Sequence, residues 1–227
     1  MKLLFDIINI INIDFSFFFL QTNEMKFLSL YIVHILFQIG CVSNAKTLAD
    51  YQEINTFFNQ NEVKGLNDLM TFFDNAICLT DDFESTNTSL CYDHFFEKIL
   101  KGVKSGGRNG DQIPIAIDEQ REYISLMDQS LFNEIWIHSC AKNKYHNDVD
   151  IINLKHNGKY IKFLREFAKV NPKVKKYYDL FESFGTIVPS MNADIVYNYK
   201  DYDMTDHRIR LLIVIHCLTV NYMSELI

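Results

Sequence analysis

Turn-forming residues are scarce in this chain, which has 8 glycines and 3 prolines among its 227 residues. A fold built from many short strands needs a turn about every 8–12 residues. The composition therefore argues against an all-β sandwich or barrel. Basic residues are also outnumbered, since 22 Lys and Arg against 29 Asp and Glu give a net charge of −7. That balance argues against nucleic-acid binding driven by bulk charge.

Signatures of catalysis are missing as well. The sequence holds no nucleophile elbow and no His-Glu-x-x-His motif. The segment Gly102–Arg108 has the glycines of a phosphate loop, but Arg108 and Asn109 stand where such a loop has Lys and Ser or Thr. It also follows a predicted helix rather than a strand, so we reject it as a nucleotide site. We assign no catalytic residue and no cofactor, although an active site assembled from distant residues would leave no such signature.

A second start at Met25 is followed by fourteen residues without formal charge, Phe27–Gly40. Ser43 and Ala45 then place small residues at the two positions that a signal peptidase reads. This pattern predicts a secretory signal peptide over 25–45. Its apolar core is shorter than the roughly 20 residues that a membrane span needs. We therefore expect a secreted, extracellular protein with no membrane span after signal cleavage.

Residues 1–24 precede this second start and need a separate interpretation. They are apolar, but Asp6 and Asp14 interrupt them, and a charge at the centre of a membrane helix costs about 2.5–3.5 kcal/mol. We interpret 1–24 as an upstream gene-model extension; the alternative is a genuine first hydrophobic segment that anchors the protein. The mature chain, 46–227, is then one domain in size. Its net charge is −6, because residues 1–45 carry two lysines and three acidic residues.

Cysteines in the mature chain are even in number. Once Cys41 leaves with the signal peptide, the remaining ones are Cys78, Cys91, Cys140 and Cys217. An oxidising compartment predicts two disulfides among them, with three pairings to choose from. Cys78–Cys91 closes a short loop and would stabilise the fold by about 3 kcal/mol, and Cys140–Cys217 would then tie the middle of the chain to its last helix. The alternative, a reduced cytosolic protein, requires that the signal peptide be absent.

Apolar residues recur at helical spacing along most of the mature chain. Helices are predicted over 47–60, 66–78, 91–103, 118–140, 160–170, 172–184, 189–196 and about 206–225. The last one is so apolar, through Ile209, Leu212 and Ile213, that we expect it at the centre of the fold. We predict an all-α fold, a single compact bundle of about six to seven helices stapled by disulfides.

A faint internal echo also runs through the sequence. Residues 69–78 align with 131–140, sharing a leading Leu and a closing Cys, and 91–101 align with 159–169 through Tyr92 and Tyr160. Two related halves would produce this echo, and so would the apolar spacing that any two amphipathic helices share.

Histidine and cysteine lie close in the sequence at two places, Cys91 with His94 and His138 with Cys140. No second pair at ligand spacing completes a zinc site, so we predict no metal and interpret these residues as structural or surface groups. Glu134 and His138 lie four apart on a predicted helix, where they form either a dyad or a surface ion pair. His216 lies in the apolar last helix, and we expect it to be a hydrogen-bonded core residue.

One Asn-x-Ser/Thr triplet occurs in the chain, at Asn87-Thr88-Ser89. It falls in a polar segment where a loop is expected, so Asn87 is a candidate glycosylation site. Such triplets also occur by chance, and occupancy is left open.

A basic stretch stands out in this acidic protein, and Glu166 is the only acidic residue between its members. It comprises Lys155, Lys159, Lys162, Arg165, Lys169, Lys173, Lys175 and Lys176. Spacings of three and four put many of them on the face opposite the phenylalanines of the same helix. We interpret the stretch either as an interaction patch for an acidic protein, an anionic lipid or nucleic acid, or as a solvated helical face. Nucleic acid is the partner we expect least, given the net negative charge.

Several of these features together resemble the small secreted salivary effectors of sap-feeding insects. They are the signal peptide, the helical body rich in aromatic residues, the paired cysteines and the dipeptide Cys91-Tyr92. The nearest type is the bicycle family, defined by two cysteine–tyrosine–cysteine motifs. Here Cys78, Cys91 and Tyr92 depart from that order, and Cys140 and Cys217 flank Tyr160 at a long separation. The resemblance is architectural over 25–227; it implies delivery into a host and binding of host targets, with no catalytic residues to carry over.

We therefore expect a secreted, non-enzymatic binding protein with an unidentified protein partner. The alternatives are a secreted hydrolase with an unrecognised site and a carrier of a small apolar ligand. A deep pocket that gathers histidines or carboxylates would favour the hydrolase, and an empty aromatic-lined cavity would favour the carrier. A filled core with an exposed aromatic or basic face would favour the binding protein.

Overall fold

Helices dominate the computed structural model, which describes residues 46–80, 83–106, 113–223 and 226. The predicted upstream extension 1–24, the signal peptide 25–45 and Cys41 lie outside the described residues. The chain from Lys46 to Ile227 forms one compact unit.

Nine α-helices occur in the described part of the chain, more than the six to seven predicted. They are α1 Gln52–Phe57, α2 Gln60–Cys78, α3 Thr88–Lys104, α4 Ile117–Leu126, α5 Gln129–Ile135, α6 Lys159–Ala168, α7 Pro172–Phe184, α8 Pro189–Tyr197 and α9 His207–Met223. Short 3-10 turns at Leu48–Asp50 and Tyr199–Asp201 complete them. Local sequence fixes several ends: Asn59 and Glu62 form a capping box before α2, and Gly185 ends α7 with φ +71°.

Two antiparallel hairpins interrupt the helices, so the all-α prediction was wrong in this respect. Strands β1 Leu79–Thr80 and β2 Phe83–Glu84 form a minimal hairpin between α2 and α3. Strands β3 Trp136–Lys142 and β4 Asp148–Leu154 form a longer one between α5 and α6, with Trp136 opposite Leu154 and Lys142 opposite Asp148. The fold is mostly helical, with one hairpin between α2 and α3 and another between α5 and α6.

The helix predicted over 118–140 breaks twice. Met127 is extended, with φ −73° and ψ 158°, and Asp128 then caps α5 by accepting a hydrogen bond from Ser130 N at 2.7 Å. Beyond Ile135 the chain becomes β3, because its backbone pairs with β4, which lies between the helices predicted over 118–140 and 160–170. Trp136 anchors the start of the strand by donating from Nε1 to Thr219 Oγ1 at 2.9 Å.

Helix α9 lies at the centre of the core, as predicted. Every residue from Leu211 to Thr219 is buried, and α9 packs against α2, α4 and β4. A fully buried Leu, Ile or Val side chain contributes about 1.5–3 kcal/mol relative to an exposed one. This helix is therefore the main apolar element around which the others are arranged.

One disulfide forms among the four described cysteines. Cys78 ends α2 and bonds to Cys91 in α3, with the two Cα atoms 5.0 Å apart, which confirms the local pair. The predicted Cys140–Cys217 disulfide is wrong, because Cys140 lies exposed on β3 while Cys217 is buried in α9, and both are free thiols. The predicted pairing fails because residues 136–142 form strand β3, on which Cys140 is exposed, instead of continuing a helix.

The internal echo corresponds to a shared order of elements, helix, hairpin and helix, in both parts of the chain. Tyr92 in α3 and Tyr160 in α6 are both fully buried, each in the helix that follows a hairpin. The other aligned segments do not match, because 69–78 is helical throughout whereas 136–140 is a strand. Related halves therefore remain a hypothesis supported by one of the two alignments.

Candidate functional site

The basic stretch covers α6, α7 and the residues just before α6. Its phenylalanines face inwards as predicted, with Phe163 and Phe167 buried. Asn171 divides the stretch by capping α7, where its Oδ1 accepts hydrogen bonds from Lys173 N and Val174 N. Lys162 and Arg165 are exposed on α6. The stretch is thus a two-helix surface with its apolar side in the core.

Acidic residues neutralise most of this surface. The ion pairs are Lys159–Glu62 at 2.5 Å, Lys169–Glu166 at 2.5 Å, Lys173–Asp201 at 2.6 Å, Lys175–Asp179 at 2.5 Å and Lys176–Asp194. Lys155 instead donates to Asn133 O at 2.7 Å. Lys162 makes no ion pair with any described residue. The run of lysines in the sequence is therefore not a continuous positive surface, because Glu62, Asp194 and Asp201 come from other elements.

Asn87, the candidate glycosylation site, is the N-cap of α3. Its Oδ1 accepts hydrogen bonds from Ser89 N at 3.1 Å and Leu90 N at 3.5 Å, and the residue is exposed. An Asn at an N-cap satisfies backbone N–H groups that the first helical turn leaves unpaired. Because the cap uses Oδ1, the amide nitrogen, to which a glycan attaches, stays outside these bonds.

Glu134 and His138 do not form the dyad that a continuous helix would give. Glu134 lies in α5 and accepts a hydrogen bond from Lys159 N at 3.0 Å. His138 lies in β3, where its Nδ1 is 3.2 Å from an Asp150 carboxylate oxygen. Register places Asp150 directly opposite Cys140. The result is an exposed His–Asp pair beside a free thiol on the hairpin.

His216 is a core residue, as expected. Its Nδ1 is 3.2 Å from the Tyr177 hydroxyl and its Nε2 is 3.3 Å from Asn192 Oδ1. Complete burial lowers the pKa of His216 to about 3, so the imidazole is neutral at ordinary pH. Burial likewise raises the pKa of the neighbouring Cys217 thiol to about 12. Through these contacts His216 links α9 to Tyr177 of α7 and to Asn192 of α8.

A second, partly buried polar cluster escaped sequence reasoning. Tyr92 donates its hydroxyl to Asp74 Oδ1 at 2.8 Å, and Arg210 of α9 binds the other oxygen of Asp74. Burial raises the pKa of Asp74, while the Arg210 guanidinium acts in the opposite direction. His207 beside them has a lowered pKa, caused first by burial and then by Arg210. The cluster ties α2, α3 and α9 together, and its members lie too far apart in sequence to be recognised there.

The paired His and Cys positions do not form a metal centre in the described part of the chain, where no three His, Cys, Asp or Glu side chains gather. Cys91 is in the disulfide. His94 stacks on Phe83 with ring centroids 4.2 Å apart. Among the described residues, none of the helices combines the length and apolar character that a membrane crossing requires.

Surface grooves of about 400–420 Å³ separate several helices. The one between the end of α3 and the turn after α8, here called the α3–α8 groove, has a volume of about 410 Å³. Three exposed lysines line it: Lys101, Lys104 and Lys200. Sequence reasoning missed this set, because Lys200 is remote from the other two along the chain. Comparison with family models, curated proteins and solved structures found no match for this chain.

Proposed function

We propose that this chain is a secreted, non-enzymatic binding protein that engages a protein partner through its helical surface. The observation that carries the proposal is the distribution of aromatic side chains between core and surface. Phe73, Phe96, Phe132, Phe163 and Phe181 are each at most 1% exposed. They pack ring against ring, as Phe73 does edge-on against Phe95 with centroids 5.6 Å apart. A carrier of apolar ligands would need such residues to line a cavity, so their packing favours a surface function.

Exposed apolar side chains support the same proposal. Phe184 and Tyr197 are 60% and 58% exposed, and Tyr145 at the tip of the β3–β4 hairpin is 71% exposed. Aromatic residues are enriched in protein–protein interfaces because they bury a large area at few positions. These three side chains therefore offer a partner exposed aromatic area to bury.

Secretion and glycosylation belong to this proposal. The signal peptide over 25–45 and the cleavage after Ala45 rest on the sequence pattern. The Cys78–Cys91 disulfide is consistent with an oxidising compartment. The exposed Asn87 would carry its glycan at the start of α3. The resemblance to salivary effectors adds the hypothesis that the partner is a host protein.

Capture of the partner tests the proposal. The mature protein, 46–227, is immobilised, exposed to extracellular fluid, and any captured protein is then purified and titrated back. We expect saturable binding that requires the folded protein, and equal capture by reduced, denatured protein would count against it. The variant with Lys162→Glu, Arg165→Glu and Lys169→Glu shows whether the α6 surface takes part. Turnover of a substrate, or a small apolar molecule that co-purifies stoichiometrically, would instead support one of the alternative functions.

A further inference from the structure

Most lysines of the basic stretch have an acidic partner, whereas a second set of lysines on another surface has none among the residues that the structure describes. In the basic stretch, five of the eight side chains approach a carboxylate within 2.7 Å. Lys101 and Lys104, by contrast, form no ion pair with any described residue, and Lys200 interacts with Tyr199, its Nζ lying 5.7 Å from the centroid of the ring. These three side chains line one concave surface, the α3–α8 groove. Three lysines without a carboxylate at ion-pair distance in the described part of the chain therefore meet in one groove, on a protein whose net charge is negative.

The spacing of the three lysines suits several anionic groups in a row. Lys101 and Lys104 are three residues apart on α3, which separates them by about 4.5 Å along the helix axis and keeps them on one side. Lys200 approaches from the 3-10 turn on the opposite wall. The negative end of the α3 dipole stabilises Lys101 and Lys104 in the last turn. This dipole does not stabilise the charge of Lys200, because Lys200 belongs to the 3-10 turn and not to α3.

The rest of the groove has mixed chemistry. Leu100 and the exposed ring of Tyr197 supply apolar surface, and Asn198 supplies an amide. Glu97 and Asp201 also border it, and Asp201 is already paired with Lys173 at 2.6 Å. A uniformly charged polyanion would meet both carboxylates, whereas a short peptide can place acids on the lysines and N–H groups on the carboxylates. The lining therefore favours a peptide over a sulfated polysaccharide.

We propose that the α3–α8 groove binds an acidic peptide segment of a partner protein, in which two or more carboxylates flank an apolar side chain. The carboxylates would pair with Lys101, Lys104 and Lys200, and the apolar side chain would lie against Leu100 and Tyr197. In an extended peptide, side chains two residues apart lie about 6–7 Å apart on one face, within reach of flexible lysines. This inference rests on the proposed binding function and gives it a location and a partner chemistry.

Fluorescence anisotropy with defined peptides tests the proposal on the mature protein. The probe is a labelled peptide of sequence EELEELEE, compared with QQLQQLQQ. We expect the acidic peptide to bind and the neutral one to bind at least about tenfold more weakly. Binding should weaken from about 0.1 M to about 1 M salt, since the Debye length falls from about 10 Å to about 3 Å. Absence of binding by the acidic peptide would overturn the proposal.

Charge reversal locates the binding. Lys101→Glu with Lys104→Glu should lower the affinity about tenfold or more, and Lys200→Glu should act in the same direction. The control, Lys64→Glu with Lys144→Glu, changes the net charge equally on other surfaces and should stay within about twofold. Lys101→Gln with Lys104→Gln serves if the reversed pair fails to fold, as judged by circular dichroism. Equal affinity of groove and control variants would overturn the assignment.

Two further outcomes separate this inference from the proposed function. If labelled heparin binds the groove and the acidic peptide does not, a sulfated polysaccharide is the ligand and the peptide proposal fails. If the partner captured by the mature protein binds the groove variants unchanged, the binding function stands while the groove assignment fails. Loss of both the peptide and the captured partner in the groove variants supports the two proposals together.

Discussion

At the scale of single residues, two tyrosines in corresponding places differ in one hydrogen bond. Tyr92 and Tyr160 are both fully buried, and Tyr92 donates to Asp74. The Tyr160 hydroxyl has no partner in the described part of the chain. A buried polar group without a partner costs about 1–3 kcal/mol. The two hydroxyls should therefore have opposite effects on stability.

Phenylalanine substitutions test this difference. Tyr92→Phe removes a hydrogen bond to the partly buried carboxylate of Asp74 and should lower the free energy of unfolding by about 1.5–3 kcal/mol. Tyr160→Phe removes an unpaired hydroxyl and should leave the free energy of unfolding unchanged or raise it. Urea unfolding followed by circular dichroism measures both variants. Equal losses in the two would show that Tyr160 has a partner of similar strength.

The buried His216 makes stability depend on pH. Its pKa is lowered to about 3 in the folded chain, against about 6.5 when unfolded. The unfolded chain therefore binds a proton that the folded chain refuses, and the contribution is complete above the unfolded pKa. It is lost as the pH falls towards 3, by about 1.4 kcal/mol per pH unit between about pH 6 and 4.

The measurement compares slopes rather than absolute stabilities. His216→Gln should lower stability at pH 7 and flatten the dependence of unfolding free energy on pH between about 6 and 4. His138→Gln is the matched control, because His138 is exposed on β3, and it shows how much of any change comes from the loss of a histidine as such. A slope that is unchanged in His216→Gln would mean that His216 accepts a proton in the folded state.

At the scale of elements, long apolar-periodic segments were predictable and the hairpins were not. Phe163 and Phe167 marked the buried face of α6, and Asn171, Pro172 and Gly185 marked the ends of α7. Strand β3 has only seven residues, and its apolar start continues the pattern of the preceding helix, so periodicity could not separate the two. Its pairing with β4 depends on residues farther along the chain. The α3–α8 groove was unpredictable for the same reason, since its lysines meet only in the folded chain.

Two glycines test how closely the elements approach. A Cβ at Gly158, between β4 and α6, would lie 2.3 Å from the backbone oxygen of Glu134, whereas a Cβ at Gly65 in α2 would meet only Leu131 Cδ2, at 2.5 Å. Gly158→Ala should destabilise by about 2–3 kcal/mol, because backbone must move. Gly65→Ala should be nearly neutral, since Leu131 borders a groove and Ala gains about 1 kcal/mol of helix propensity. Thermal unfolding compares them, and a larger loss at Gly65 would contradict the packing described.

The single disulfide gives a prediction about the elements that it joins. Replacing Cys78 and Cys91 by Ser should lower the free energy of unfolding by about 3 kcal/mol, because α2 and α3 lose their covalent link. Cys140→Ser should have little effect, since Cys140 is exposed and free. Chemical unfolding of both variants provides the comparison. Equal destabilisation by Cys140→Ser would mean that Cys140 has a structural partner.

For the molecule as a whole, the proposed binding function requires that the protein be exported from the cell. The proposed protein is the oxidised domain 46–227, with a net charge of −6, a packed aromatic core, and exposed aromatic rings at Tyr145, Phe184 and Tyr197. A partner in the extracellular space, and host targets if the resemblance to salivary effectors holds, both require that this domain leave the cell.

Export is tested by expressing the full chain in secretory eukaryotic cells. The protein in the medium is then analysed by amino-terminal sequencing and thiol mapping. We expect a chain that begins at Lys46, with Cys78 bonded to Cys91. In the native protein Cys140 should react with a thiol reagent, and Cys217 should react only after unfolding. Retention of the protein inside the cells would show that the domain is not exported, and a secreted chain that still carries residues 1–24 would show that it is not cleaved after Ala45.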